Sequence, residues 1–217
     1  EISCSLVGSE MCIRDSIEVY HVGETVRSDA DFDDLTIRVD NVTIQDNFDG
    51  LHTDGCGQEM DYHPYLNADG KITSTRTWYR LGDGVNTVDE KLREENVTMK
   101  VVVVDLTYTN INDISREICV CPDLFRLNEN GETIPPHAAE EENTYFKESL
   151  GVADYDDLPI SFATDHSFEK NNITNLAPGE SAKATVAFLV DADITDNLYF
   201  RTAFKDYNQA IQLTETE

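Results

Sequence analysis

Cysteines and carboxylates are the residues here most able to do chemistry, and neither set falls into a catalytic spacing. Cys119-Val120-Cys121 puts two thiols on one face of a strand, about 6.6 Å apart at roughly 3.3 Å per residue. That is the long limit for a mutual disulfide. Cys56 offers another partner, and a bridge between Cys56 and Cys121 would tie a long loop to the body of the fold in an oxidising compartment. Free or buried thiols are the simpler alternative. A metal centre lacks both a Cys-x-x-Cys pair and a nearby histidine, since His21, His52, His63, His137 and His166 are scattered. No Gly-x-Ser-x-Gly elbow occurs. The sequence therefore assigns no catalytic residue, no metal ligand and no cofactor, and it reads as a non-enzyme.

Several weaker signals have ordinary structural explanations. The segment 67–72 (NADGKI) has the outline of a calcium loop, but Tyr65 and Arg76 stand where its first and twelfth ligands belong. An Asp-Gly hairpin turn fits better. Oxygen donors are plentiful at Asp29, Asp31, Asp33 and Asp34, and at Asp154, Asp156 and Asp157, but acidic loops on an acidic chain are usually solvated. Tyr62, Tyr65, Trp78 and Tyr79 concentrate aromatics between residues 46 and 96. They are the candidate binding residues, for stacking on sugar rings or a protein partner. The alternative is a satellite core beneath a long loop.

The chain has 217 residues, 40% of them hydrophobic, enough to bury a core. Acidic residues number 43 against 16 Lys plus Arg, a formal charge of −27. Such a chain repels phosphate backbones and anionic lipid, which argues against nucleic-acid partners and polybasic membrane attachment. Its longest apolar run is Val101 to Val104, far short of the roughly 20 residues that span a bilayer.

Residues 1–16 (EISCSLVGSEMCIRDS) show neither strand alternation nor a helical stripe. Leu6 to Asp15 can be spelled CTC GTG GGC TCG GAG ATG TGT ATA AGA GAC, which resembles the transposase adapter of short-read sequencing libraries. The segment reads as translated adapter, so Cys4 and Cys12 leave the cysteine count. The remaining acidity is almost unchanged, because the segment holds three acids and one arginine.

From Ile17 onward, short runs of β-branched and aromatic residues alternate with Gly, Asn and Asp clusters. Residues 22–26 read as an edge strand, and 35–44 as a half-buried strand with a bulge near Asn41. The strongest strand is 97–110 (VTMKVVVVDLTYTN), with further strands at 117–127, 182–190, 198–204 and 210–213. Pro122 marks an edge or bulge, Asn130-Gly131 a hairpin turn, and Pro178-Gly179 a tight turn before a strand. Residues 46–96 read as a long insertion with a hairpin of its own. Residues 138–150 (AAEEENTYFKESL) suggest one short helix. Strands at this spacing without alternating long helices predict an all-β antiparallel sandwich, forming a single domain over 17–217.

In order, VGETV (22–26), the strand 35–42, DLTYTN (105–110), FRL (125–127) with its Asn-Gly turn, and LAPGES (176–181) leading into VAF (186–188) carry a resemblance. They resemble the uncharacterised immunoglobulin-like domain found behind the lipid anchor and linker of many Gram-positive lipoproteins, which is similar in fold to a secreted mycobacterial antigen. The resemblance implies an immunoglobulin-like sandwich, exported and held at the cell surface by an N-terminal lipid anchor outside this chain. It implies binding or structural work without catalysis, and an envelope protein or glycan as partner. The alternative from another class is a secreted hydrolase that cleaves envelope glycans through two carboxylates converging in the fold.

Overall fold

The computed structural model describes residues 17–28, 35–51, 63–120, 122–128, 130–137, 143–150, 160–169, 172–201 and 209–215. In chain order the strands are β1 (Glu18–His21), β2 (Thr25–Arg27), β3 (Leu35–Gln45), β4 (Thr73–Arg80), β5 (Glu90–Asn110), β6 (Arg116–Cys119), β7 (Asp123–Leu127) and β8 (Thr133–Ile134). They continue with β9 (Thr144–Glu148), β10 (Ser161–Thr164), β11 (Phe168–Glu169), β12 (Asn172–Leu176), β13 (Ser181–Asp191), β14 (Leu198–Arg201) and β15 (Gln209–Gln212). The fold is all-β, and the helical element among the described residues is a single 3-10 turn at His63–Tyr65.

One sheet has the order β1-β15-β14-β7-β8, and the larger has β10-β13-β5-β3-β2 with β4 and β9 attached beside β5. Their facing sides form one core. Ile37, Val39, Val104, Leu106, Val186 and Phe188 meet Leu124, Leu198, Phe200 and Ile211. Phe188 and Phe200 touch edge to face across the two layers, with centroids 6.2 Å apart. Period-two alternation in β5 and β13 is what delivers these side chains to one side, and each buried aliphatic or aromatic side chain contributes about 1.5–3 kcal/mol. A small third sheet, β11-β12-β6, adds Ile118, Ile173 and Leu176 to the same core.

The expected turns take their positions. Gly131 (φ 74°) closes the β7–β8 hairpin, with its N–H donating to the Asn128 carbonyl. Gly179 (φ 74°) turns the chain into β13. The bulge in β3 falls between Val39 and Asn41. At 67–70 the Asn67 side-chain oxygen accepts the N–H groups of Asp69 and Lys71, forming a turn.

Three expectations are corrected. The edge strand expected at 22–26 starts only at Thr25: residues 22–24 turn the chain at Gly23 (φ 90°) out of β1, which runs parallel to β15 in one sheet, into β2, the edge strand beside β3 in the other. The strand at 117–127 is likewise split about Pro122, β6 going to the small sheet and β7 to the sandwich. The described part of the expected helix at 138–150 is strand β9, because pairing with β4 overrides the helical preference of its composition. The remainder, 138–142, lies outside the described residues.

The outer face of the larger sheet is also covered at one end. Val101, Ala187 and Leu189 pack there with Ile72 and Leu150, joined by Phe48, Leu51, Tyr65 and Leu66. Part of the long insertion thus lies against the sandwich as a second layer of packing.

Candidate functional site

β5 is longer than either of its sandwich neighbours. β3 stops opposite Val101 and β13 stops opposite Met99. From Thr98 back to Glu90 its partner is β4, and β9 pairs with β4 on the far side. The result is a three-stranded arm in the order β9-β4-β5, continuous with the larger sheet. Alternation in β4 sorts its two faces: Ser74, Arg76 and Trp78 are buried, while Thr73, Thr75, Thr77 and Tyr79 are half-buried on the other side.

On the buried face Arg76 reaches two carboxylates. Its Nη1 and Nη2 donate to Asp191 at 2.9 and 2.6 Å, and its Nε donates to Glu148 at 2.8 Å, with a further Nη2 bond to the same Glu148 oxygen. The Phe146 ring lies 4.3 Å from the guanidinium carbon. Burial pulls the arginine toward its neutral form, but the bonds from Asp191 and Glu148 outweigh that and hold its pKa above the ordinary value. Asp191 ends β13 and Glu148 ends β9, so this one side chain pins the arm to the sandwich. Here two acids do converge, but onto a guanidinium that bonds both oxygens of Asp191 and one of Glu148, with the carboxylate side chains only 5 and 6% exposed.

Trp78 extends the same layer. It is 2% exposed, its indole N–H donates to Glu95 at 2.6 Å, and Phe146 packs at 5.0 Å between centroids. The Arg93 guanidinium sits 4.4 Å over its ring.

Among the described residues the opposite face is only partly covered. Tyr79 and Tyr145 are directly paired across β4 and β9, and their rings stack at 5.2 Å with 16° between planes. The Lys147 ammonium lies 5.7 and 5.8 Å from the two ring centres. Lys91 pairs with Glu94 at 2.5 Å, and the Tyr145 hydroxyl donates to Asp89 at 2.7 Å. The Gly82 N–H and, after it, that bond lower the Asp89 pKa, and Asp89 in turn raises that of Tyr145.

At the tip, residues 81–89 form a closed loop. The Asp83 carboxylate accepts the N–H groups of Val85, Asn86 and Thr87 at 2.9, 2.7 and 2.8 Å, and these bonds lower its pKa well below the usual 3.8. A Cβ at Gly82 would collide with the Thr87 carbonyl, so the loop closes only with glycine there. The locked loop holds Leu81, Val85 and Val88 outward, 53, 85 and 89% exposed.

No protein-family model, curated protein sequence or solved structure matches the chain.

Of the aromatic residues singled out from sequence, the fold separates three and leaves one outside view. Tyr65 packs with the second core and donates to the Ser149 carbonyl at 3.2 Å. Trp78 belongs to the buried layer and Tyr79 to the opposite face, and Tyr62 lies outside the described residues. Cys56 and Cys121 also lie outside them, as do residues 1–16 and the acidic runs at 29–34 and 154–157. Cys119 is the last residue of β6. Among the described residues, no group of three or more His, Cys, Asp or Glu is placed to hold a metal ion. Tyr145 and Lys147 were missed by sequence reasoning because their segment resembles a helix. The signal was the alternation Thr144, Phe146, Glu148 against Tyr145, Lys147.

Proposed function

We infer that the chain is a non-catalytic immunoglobulin-like recognition module of a bacterial cell envelope, carried outside the cytoplasmic membrane by a lipoprotein. Strand order supports the fold assignment. Taking β3, β5, β7, β10, β13, β14 and β15 as strands A to G, the larger sheet reads A-B-E-D and the smaller C-F-G, the constant-type immunoglobulin arrangement. The ordered motifs from VGETV to VAF support the compartment.

The observation that carries the recognition role is the arm. β5 continues past both sandwich neighbours, and the structure it builds has a locked apolar tip and a partly covered aromatic face. Rigid β-scaffolds typically recognise partners through such projecting segments. The partner is an envelope protein or glycan.

A co-sedimentation assay with purified Gram-positive cell walls tests this, comparing the intact chain with an arm variant carrying Tyr79→Ser, Val85→Ser and Val88→Ser. The expected result is retention of the intact chain and loss of most retention in the variant. Equal retention of the two proteins, or none of either, overturns the reading. The genomic reading frame upstream of Ile17 tests the compartment, where an export signal ending at a lipid-modifiable cysteine is expected.

A further inference from the structure

The aromatic face of the arm differs electrically from the rest of the molecule. On a chain of formal charge −27, its charged groups cancel: Lys91 is closed onto Glu94, and Lys147 lies near Asp89 across the tyrosine pair. What remains is aromatic surface. The ring separation of 5.2 Å matches the spacing of adjacent strands, about 4.8 Å, and the planes are nearly parallel. The rings therefore stand side by side on the sheet. Among the described residues Tyr145 belongs to the outermost strand of the arm, β9, so the side of its ring turned away from Tyr79 looks off the sheet edge. Thr73, Thr75 and Thr77 continue the same face along β4 with their hydroxyls already bonded, Thr73 donating to the Tyr65 carbonyl at 3.4 Å, Thr75 to Asn96 at 3.2 Å and Thr77 pairing with Glu94.

We propose that this face binds an uncharged oligosaccharide. The C–H side of one sugar ring lies on the outward face of Tyr145, and the Lys147 ammonium, on the same strand and exposed, donates to sugar hydroxyls. Flat aromatic surface removes the C–H face from water while the polar rim satisfies hydroxyl groups. Local electroneutrality selects the class. An anionic glycan meets no net positive charge here and is repelled by the molecule as a whole, whereas a cationic ligand is drawn equally to the acidic surface elsewhere. This inference rests on the arm being the recognition surface and adds the ligand class.

Isothermal titration calorimetry of the intact chain with cellohexaose, maltohexaose and chitohexaose, and with hexagalacturonate as the acidic comparator, tests it. At least one uncharged hexamer is expected to bind, and hexagalacturonate more weakly. Tyr145→Ala is expected to weaken binding at least tenfold, about 1.4 kcal/mol, and Lys147→Gln severalfold. Tyr145→Phe keeps the stacking surface and is expected to stay within about threefold. Thermal unfolding of each variant checks that it folds; if Tyr145→Ala does not, the Lys147→Gln and Tyr145→Phe pair decides. No binding by any uncharged hexamer, equal binding by Tyr145→Ala, or preference for hexagalacturonate overturns the proposal. Arm-dependent retention on cell walls without hexamer binding would sink the ligand class alone and leave the recognition reading standing.

Discussion

The two halves of β5 are one strand under two kinds of physics. From Val101 to Asn110 it has a partner on each side, β3 and β13, and alternate side chains fill an apolar core. From Glu90 to Thr98 its described partner is β4 alone, and the sequence turns charged: Lys91, Arg93, Glu94, Glu95. Charges of both signs on a strand paired along one edge among the described residues discourage edge-to-edge association. The sandwich half is held by non-directional burial spread over many side chains. The arm half is held by a few directional contacts, chiefly Arg76 with Asp191 and Glu148 and Trp78 with Phe146 and Glu95. The first kind of region loses stability gradually with each truncation; the second hinges on single residues.

The largest effects should come from one deletion in each half. Phe188→Ala in the sandwich is expected to cost about 3–5 kcal/mol, seen as a lowered denaturant midpoint with every probe shifting together. Arg76→Met should cost a similar amount, because it leaves the carboxylates of Glu148 and Asp191 buried without their counter-charge, typically worth about 3–5 kcal/mol. Its signature should differ. Amide hydrogen exchange should quicken first in β4, β9 and residues 90–98, with the amides of 101–110 nearly unchanged. Equal acceleration in both halves of β5 would show that arm and sandwich open as one unit and would break the comparison.

A smaller effect sharpens it at the tip. Asp83 has its pKa lowered by backbone N–H donors, so its contribution to loop order is complete above the unfolded value near 3.8 and is lost as pH falls through the lower folded value. The amide resonances of Val85, Asn86 and Thr87 should therefore titrate with a midpoint below 3.8, while those of the sandwich strands do not follow it. A midpoint at or above 3.8 would mean the loop is not locked as described.

Local chemistry was legible where it is self-sufficient. The run 97–110, the alternation of 182–190, the bulge at Asn41 and the turns at Gly131 and Gly179 each depend on residues within a few positions of one another. The beginning of β5 was not legible, since residues 90–96 carry no apolar alternation and become strand only by pairing with β4. β9 failed for the converse reason: Glu- and Ala-rich composition favours helix until a neighbouring strand supplies its hydrogen bonds. The candidate face needed both. Tyr79 was visible as an aromatic residue in the insertion, but its stacking partner is 66 positions away on the strand that looked helical.

Amino-acid order alone determined the acidity, the β character, the turns and the apolar stripe that becomes the sandwich core, because each follows from composition or from period-two spacing within one segment. Only the tertiary structure decided that Trp78 faces inward and Tyr79 outward, that Arg76 meets acids 72 and 115 residues distant, and that β5 outruns its neighbours to form an arm. Those outcomes depend on which strand lies beside which, and strand pairing is a long-range choice that no local pattern encodes.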